Sequence, residues 1–475
     1  MDVIALDAGT SFIKALRLDA AGNRIAAASA PSPTESAAGA DPEAVWSVAC
    51  GVLSRVAGHR GELAGVIVTG QGDGLWRMDG DGAALAAYQW NSTRAANVIR
   101  RWEREGVITE HFRASGTVLW PGTAAALWVW LSETDPAEAA RTATFFTVKD
   151  WIGFRLSGRV ATDVTDATIP FLDPATGQYS AAAFDRLGCQ ALQPLAPPVR
   201  DPGDLLGHVL PAAAEVTGLP EGVPVFVGCL DGAAMLYGLG LREAGEAMAI
   251  LGTTVGAVAI SDELPVSQEP SGAVLRLGPG RYYRIMAANS GTTTLDWFLN
   301  ANGYHGADRY DRFWADYAES DGGLLMLPYL AGERAPFLEP SATGAYLGIT
   351  PRTTTADFAR ATVEGITFAL NLGLAAVGRG GGGLLLTGGG ARRPEWCQLV
   401  ADVTCAPVRV DAGGDSSLVG VASLVPGFGE LPALTRGDRP AYEPGPRAAS
   451  LATGYRDFTE ALEVFRQLWK QRGEV

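Results

Sequence analysis

The chain has 475 residues and carries 37 basic against 52 acidic side chains, a formal net charge of −15. That length predicts two or three domains rather than one, and so acidic a chain with no clustered basic stretch excludes nucleic acid as a partner. Hydrophobic residues make up 47% and charged residues 19%, a balance that supports large buried cores and excludes a disordered chain.

The residues from Met1 to Asp7 lack the basic start, apolar stretch and cleavage site of a signal peptide. No uninterrupted apolar segment reaches membrane-spanning length. Cys50, Cys189, Cys229, Cys397 and Cys405 are scattered without a CxxC pair, and the histidines are equally dispersed, so no structural zinc site is expected. These features predict a reduced cytoplasmic protein with no membrane partner.

In chain order, residues 3–6 predict a short strand, Asp7-Ala8-Gly9-Thr10 a turn, and 12–18 a second strand that turns through 20–23 into 24–28. Residues 66–69 predict a buried strand ending in the glycine turn Gly70-Gln71-Gly72-Asp73-Gly74. The proline-rich stretch 192–204 predicts a surface loop. An apolar run at 223–227 leads to Asp231 and Gly232. After residue 240 the opening pattern returns, with 247–251 apolar, a turn at Gly252-Thr253-Thr254, and 255–260 apolar again. Residues 384–387 then run into Gly388-Gly389-Gly390, as 66–69 run into Gly70. Trp396, Leu399, Val400 and Val403 fall at helical spacing after Pro394. Residues 439–450 predict a loop and 455–469 a closing helix. The simplest account is an ancient duplication with halves 1–240 and 241–475.

Several of these turns carry chemistry. Asp7-x-Gly9-Thr10-Ser11 offers backbone N–H groups and hydroxyls to an anion, and Lys14 adds positive charge. Asp7 beside phosphates is repulsive unless Mg²⁺ lies between them. An ordinary hairpin uses the same residue types, and Gly252-Thr253-Thr254 shares that ambiguity. Two such turns, one per half, suit a phosphate clamp. Gly388 to Arg392 lets the backbone approach a planar ligand or a phosphate, or makes a tight strand-to-helix turn. The absence of GxxxxGK[ST] excludes a P-loop. Asp231, at a strand-to-helix junction, is either a helix cap or a general base for a hydroxyl.

Taken in order, these segments resemble the FGGY family of carbohydrate kinases. Leu327-Pro328-Tyr329-Leu330-Ala331-Gly332-Glu333-Arg334-Ala335-Pro336 resembles its PYLxGERxP stretch, and 344–349 with 357–364 resembles its C-terminal signature. Gly388 to Arg392 with Trp396, Gln398 and 401–403 resembles its adenosine-binding region, and Asp7 to Lys14 its opening phosphate loop in xylulokinase-like form. The resemblance runs essentially from end to end. It implies an α/β chain of two actin-like (ribonuclease-H-like) domains with ATP and sugar in the cleft between them. Residues 1–240 would carry the sugar site, first phosphate loop and base, and 241–475 would bind ATP.

Carried over by position, the resemblance implies that Asp231 is the catalytic base and Asp7 the carboxylate on the Mg²⁺ side. Gly9, Thr10, Ser11, Lys14, Gly252, Thr253 and Thr254 fall on the phosphate side. Gly389, Gly390 and Ala391 fall by the adenosine, with Thr292 beside them. Glu333 and Arg334 are expected to form a scaffolding ion pair. ATP and Mg²⁺ are the implied cofactors, a small sugar or polyol the substrate, and family habit implies a homodimer.

Substrate choice is expected in the first half. Gly70-Gln71-Gly72-Asp73 stands where xylulokinases carry a Gln-Met-His-Gly stretch, with Gly72 for Met and Asp73 for His. Glycerol kinases place an acidic residue at that point, where it binds polyol hydroxyls. Trp90-Asn91-Ser92-Thr93-Arg94 resembles the family's Trp-Asn-Asp-x-Arg, with Ser92 for Asp. Gln71, Asp73, Asn91, Ser92 and Asp231 are therefore expected at the sugar. Asp73 can accept two hydroxyl hydrogen bonds; its alternative is a solvated turn. Asp150 is structural or lines the pocket, and Trp120 and Trp128 wall the sugar or pack in the core. The expected substrate is a ketopentose (L-xylulose, ribulose or xylulose), with erythritol or glycerol as alternatives. A non-catalytic sugar sensor would be expected to lose Asp231, Asp7 or a Gly-Thr turn. An actin-like ATPase would lack the GERxP segment. All of these features are present.

Overall fold

A computed structural model describes residues 1–59, 61–265, 269–320, 322–411, 413–428 and 441–473. These fall into two compact units. The first holds Met1–Arg242, Val274–Tyr282 and the described part of 414–437; the second holds Glu243–Ala273, Tyr283–Gly413 and the described part of 438–475. Two segments beyond residue 240, Val274–Tyr282 and the described part of 414–437, thus group with the first unit.

The first unit is built on a sheet with strand order Leu205–His208, Pro224–Phe226, Leu63–Gly70, Asp2–Ala8, Phe12–Leu18, Arg24–Pro31. Asp2–Ala8 runs antiparallel to Phe12–Leu18 and parallel to Leu63–Gly70, with Asp7 opposite both Lys14 and Thr69. Burial on both faces explains why the central strands are nearly continuous apolar runs rather than alternating ones. The helix Pro42–Ala57 covers one face. Asp41 starts it by accepting from the Glu43 and Ala44 amides, and Pro42 pre-sets the first turn. Val45, Trp46 and Leu53 then pack with Ile4, Leu6 and Val66 in one core. Each such aliphatic side chain contributes about 1.5–3 kcal/mol by leaving water.

The helices Asp231–Leu239 and Ser416–Ala422, also in the first unit, pack backbone to backbone. A Cβ on Gly238 would lie 1.8 Å from the Ser416 carbonyl oxygen, and one on Gly420 would lie 1.8 Å from that of Ala234. These two glycines permit the approach that brings residue 417 next to the first strand.

In the second unit the order is Arg281–Ala287 (its residues from 283 on), Val255–Ser261, Ala247–Leu251, Leu384–Thr387, Val408–Asp411, Ala441–Tyr442. Ala247–Leu251 is antiparallel to Val255–Ser261 and parallel to Leu384–Thr387, which is parallel in turn to Val408–Asp411. Both units therefore place a hairpin beside two parallel strands in the same spatial order. The duplication anticipated from the paired glycine turns is visible as repeated topology, and the α/β class is as expected. The helix Thr355–Ala376, opened by a Thr354–Asp357 capping box, crosses this sheet with Ile366, Phe368 and Leu370 buried.

Several elements differ from expectation. Asp7 closes a strand instead of opening a turn. The stretch 192–204 contains the end of a 3₁₀ helix, Gln190–Leu195, and a short strand, Val199–Arg200, paired with Thr162–Asp163. Leu192 is fully buried there, because its side chain completes an apolar cluster with Phe184 and Leu187. Of 439–450, residues 439 and 440 lie outside the described residues. Ala441–Tyr442 joins the sheet, and the last helix already starts at Ala448 and runs to Gly473. Leu451 and Phe458 seat that helix in the core. Among the described residues, no helix is long and apolar enough to cross a membrane.

One buried group in the first unit makes stability depend on pH. His111, on the helix Val107–Ser115, is 1% exposed and neither ring nitrogen has a partner. Burial, and then the charge of Arg186, lowers its pKa to about 3. The unfolded chain takes up a proton near pH 6.5 that the folded chain refuses, so stability falls as pH falls below 6.5. Wild type is expected to lose about 2 kcal/mol between pH 7 and pH 5 through this residue. His111→Leu should abolish that component in urea unfolding at the two pH values.

Candidate active site

The first strand delivers Asp7 to the end of the sheet of the first unit. Its Oδ2 accepts a hydrogen bond from Ser417 Oγ at 2.7 Å, while Oδ1 is buried without a protein donor. Burial raises its pKa, partly offset by the Ser417 bond and the Lys14 charge. Ser417 escaped the sequence reading because it lies 410 residues away. The only hint was Gly413-Gly414-Asp415 ahead of a helix start. Among the described residues, no three His, Cys, Asp or Glu side chains gather to hold a metal alone. A lone carboxylate with one idle oxygen fits a Mg²⁺ ion bound chiefly by nucleotide phosphates and water.

Asp231 occupies the first turn of Asp231–Leu239, with Leu230 as the residue before the helix. Its Oδ1 accepts from the Gly232 amide at 2.6 Å, and no donor among the described residues meets Oδ2. The side chain is half-buried. Burial first, and then the charge of Asp7, pushes its pKa up to about 7. The N-cap position of this helix is Leu230, and Asp231 is its first helical residue.

The glycine turn after Leu63–Gly70 gathers part of the expected sugar set. Gln71 Oε1 accepts from the Thr10 hydroxyl at 2.8 Å, and Thr10 Oγ1 accepts from Trp90 Nε1 at 3.1 Å. The Thr10 hydroxyl, expected at phosphate, is thus spent on tying Gln71 to Trp90. Trp120 donates to the Trp90 carbonyl at 2.8 Å. Asp73 is 5% exposed with φ +57°, which overturns the solvated-turn alternative. Its Oδ1 accepts from the Ala124 amide at 2.9 Å, in the first turn of Ala124–Thr134, and Oδ2 is buried without a partner. Burial pushes this carboxyl well above its usual range.

Other residues lie apart from this group or serve the scaffold. Asn91 and Ser11 are exposed. Ser92 is buried and accepts from Arg94 Nη1 at 3.1 Å, and Arg94 also pairs with Glu35. Asp150 closes the capping box of Val148–Ser157 with Thr147. Trp128 belongs to an apolar core cluster.

In the second unit, the Gly252 amide donates to the Thr254 carbonyl at 3.2 Å, forming the tip of the repeated hairpin. The Gly252 carbonyl accepts from the Thr292 amide at 2.9 Å. Gly291 fits here because a Cβ would lie 2.5 Å from the Thr253 carbonyl oxygen. In the triple-glycine turn, a Cβ on Gly390 would lie 2.8 Å from that of Leu251, while Gly389 is exposed with open space around it. Gly390 is therefore required by packing, and Gly389 is the position open to a ligand. Ala391 is buried, and its carbonyl accepts from Cys397 Sγ at 3.2 Å. Glu333 corrects the ion-pair expectation. Its Oε1 accepts main-chain N–H groups of Asn289 (2.7 Å) and Arg334 (2.8 Å), while exposed Arg334 turns Nε to the Ala287 carbonyl. Glu333 thereby ties its loop to the segment that leads into Gly291.

Comparison with known proteins finds matches among carbohydrate kinases. Residues 3–238 match the N-terminal domain, and residues 247–425 the C-terminal domain, of the FGGY family of carbohydrate kinases. Erythritol kinase of Brucella abortus is 29% identical over 462 residues, covering 91% of this chain and 88% of that protein. Xylulose kinase of Streptomyces coelicolor is 31% identical over 442 residues, covering 90% and 88%. The crystal structure of xylulose kinase from Rhodospirillum rubrum superimposes with a TM-score of 0.90 at 25% identity, covering 99% of this chain and 100% of that one.

Proposed function

Because the chain belongs to the FGGY family of carbohydrate kinases, we propose that it transfers the γ-phosphoryl group of ATP to a primary hydroxyl of a ketopentose, with Asp231 as general base. The observation that carries this reading is the Asp231 carboxylate, half-buried and idle at Oδ2 among the described residues, with burial pushing its pKa up to about 7. A base whose pKa lies near the working pH combines a useful ionised fraction with a useful affinity for the proton.

A primary hydroxyl is a weak nucleophile near neutral pH. Asp231 would take its proton as the new P–O bond forms, and Gln71 and Asp73 would hold neighbouring hydroxyls of the sugar. Asp7 would hold Mg²⁺, which when bound neutralises the phosphate charge. Lys14 and the amides of the Gly9 and Gly252 turns would bear on the phosphates, and the open face at Gly389 on the adenosine.

The substrate reading rests on Asp73 and on the small Gly72 beside it. L-xylulose, ribulose and xylulose are the preferred candidates. The acidic side chain, together with the likeness to an erythritol kinase, favours a tetritol as the second reading. ADP release from Mg-ATP over ketopentoses, erythritol and glycerol tests both. A ketopentose should give the highest kcat/KM. Highest activity on erythritol would replace the ketopentose reading by the polyol one, and activity on none would overturn both.

A further inference from the structure

The first unit holds a buried charge cluster that the chemistry above does not use. Lys149 is 3% exposed, and its Nζ lies 2.7 Å from Asp150 Oδ1, 2.7 Å from Asp163 Oδ2 and 3.1 Å from Asp166 Oδ2. Asp163 and Asp166 are buried as completely as the lysine. A capping box already accounts for Asp150. The other two carboxylates reach elsewhere.

Asp166 Oδ2 accepts the Thr147 hydroxyl at 2.7 Å and forms an ion pair with Lys149, and its Oδ1 accepts the Asp73 amide at 2.9 Å. This bond holds the backbone of Asp73 in its left-handed conformation. Asp163 faces Lys149 with Oδ2 as an ion pair without a hydrogen bond, and its Oδ1 accepts both the amide and the hydroxyl of Thr165. The Thr165 oxygen in turn accepts the Leu230 amide at 2.9 Å, and Leu230 immediately precedes Asp231. The two chains meet again at Gly72. A Cβ there would lie 1.9 Å from Leu230 Cδ1 and 2.7 Å from Asp166 Oδ1.

We propose that Lys149 is a positioning residue that sets the places of both Asp73 and Asp231, through its ion pairs with Asp166 and Asp163 and the hydrogen bonds those two carboxylates make onward. The proposal rests on the sugar and base roles given to those residues above. Attraction between opposite charges is strong where water is excluded, so the cluster resists small displacements. An ammonium satisfies three carboxylates arranged around one point, which the planar fork of Arg does not reproduce. Removing Lys149 would leave carboxylates crowded without a cation, and both chains would lose their common origin.

Kinetics of Thr165→Val and Lys149→Met test this, with Asp231→Asn measured in parallel. Thr165→Val cuts only the chain to Leu230. It should lower kcat about 10-fold while KM for sugar and for ATP stays within about 2-fold. Lys149→Met should lower kcat and raise sugar KM by about 10-fold each, with KM for ATP unchanged. If both variants fold and melt at lower temperature, yet keep wild-type kcat and sugar KM at low temperature, the cluster is merely structural and the proposal fails. If Lys149→Met does not fold, Thr165→Val decides alone. An inactive Asp231→Asn beside a fully active Thr165→Val overturns only the positioning role. Wild-type turnover by Asp231→Asn removes the base assignment and this proposal with it.

Discussion

Asp231→Asn is expected to bind ADP as wild type does, while kcat falls about 10²–10⁴-fold. Asn keeps the shape and one acceptor oxygen but has no affinity for the hydroxyl proton. The pH profile supplies a second reading of the same residue. With its pKa raised to about 7, Asp231 is ionised above that pH and protonated below it. Wild-type kcat/KM should therefore rise toward pH 7 and level off beyond it. Stability should move the other way. Between about pH 4 and pH 7 the folded chain retains a proton that the unfolded chain has released, so this carboxyl lowers stability as pH rises. Asp231→Asn removes that cost and should be about 1–2 kcal/mol more stable than wild type at pH 8, after allowance for its partial exposure. A variant both inactive and more stable would mark Asp231 as a functional residue rather than a structural cap.

Gly72→Met, which installs the residue found at this place in xylulokinases, is expected to lose nearly all activity instead of gaining activity on D-xylulose. The Met Cβ would start 1.9 Å from Leu230 Cδ1 and 2.7 Å from Asp166 Oδ1. Overpacking of this kind costs about 1–3 kcal/mol. Leu230 immediately precedes the helix that carries Asp231, so displacing its side chain is expected to disturb the start of that helix. Melting temperature and kcat with the best sugar check both parts. A stable Gly72→Met with undiminished kcat would show that Leu230 moves independently of the base.

The hairpins, the paired glycine turns and the repeated strand order were legible because each depends on a local pattern of apolar runs broken by Gly and Thr. Asp231 was legible as a candidate from its place between an apolar strand and a helix. Its electrostatic environment was not, because burial and the charge of Asp7 come from distant chain. The Asp7–Ser417 bond joins opposite ends of the sequence, and no spacing rule reaches that far. Asp150 was visible as a candidate, yet nothing in its spacing from residues 162–166 shows that the neighbouring Lys149 ammonium meets three carboxylates. Glu333 shows a different limit. Its residue type suited ion pairing, but a carboxylate takes amides where a tight loop presents them.

The central claim is that this carbohydrate kinase transfers phosphoryl from ATP directly to a sugar hydroxyl whose proton Asp231 takes. Its most direct test is ADP release from Mg-ATP with and without the best ketopentose, in wild type and in Asp231→Asn. The account predicts release that depends on sugar in wild type and is nearly abolished in the variant. Equal release with and without sugar, or undiminished release in Asp231→Asn, would contradict it.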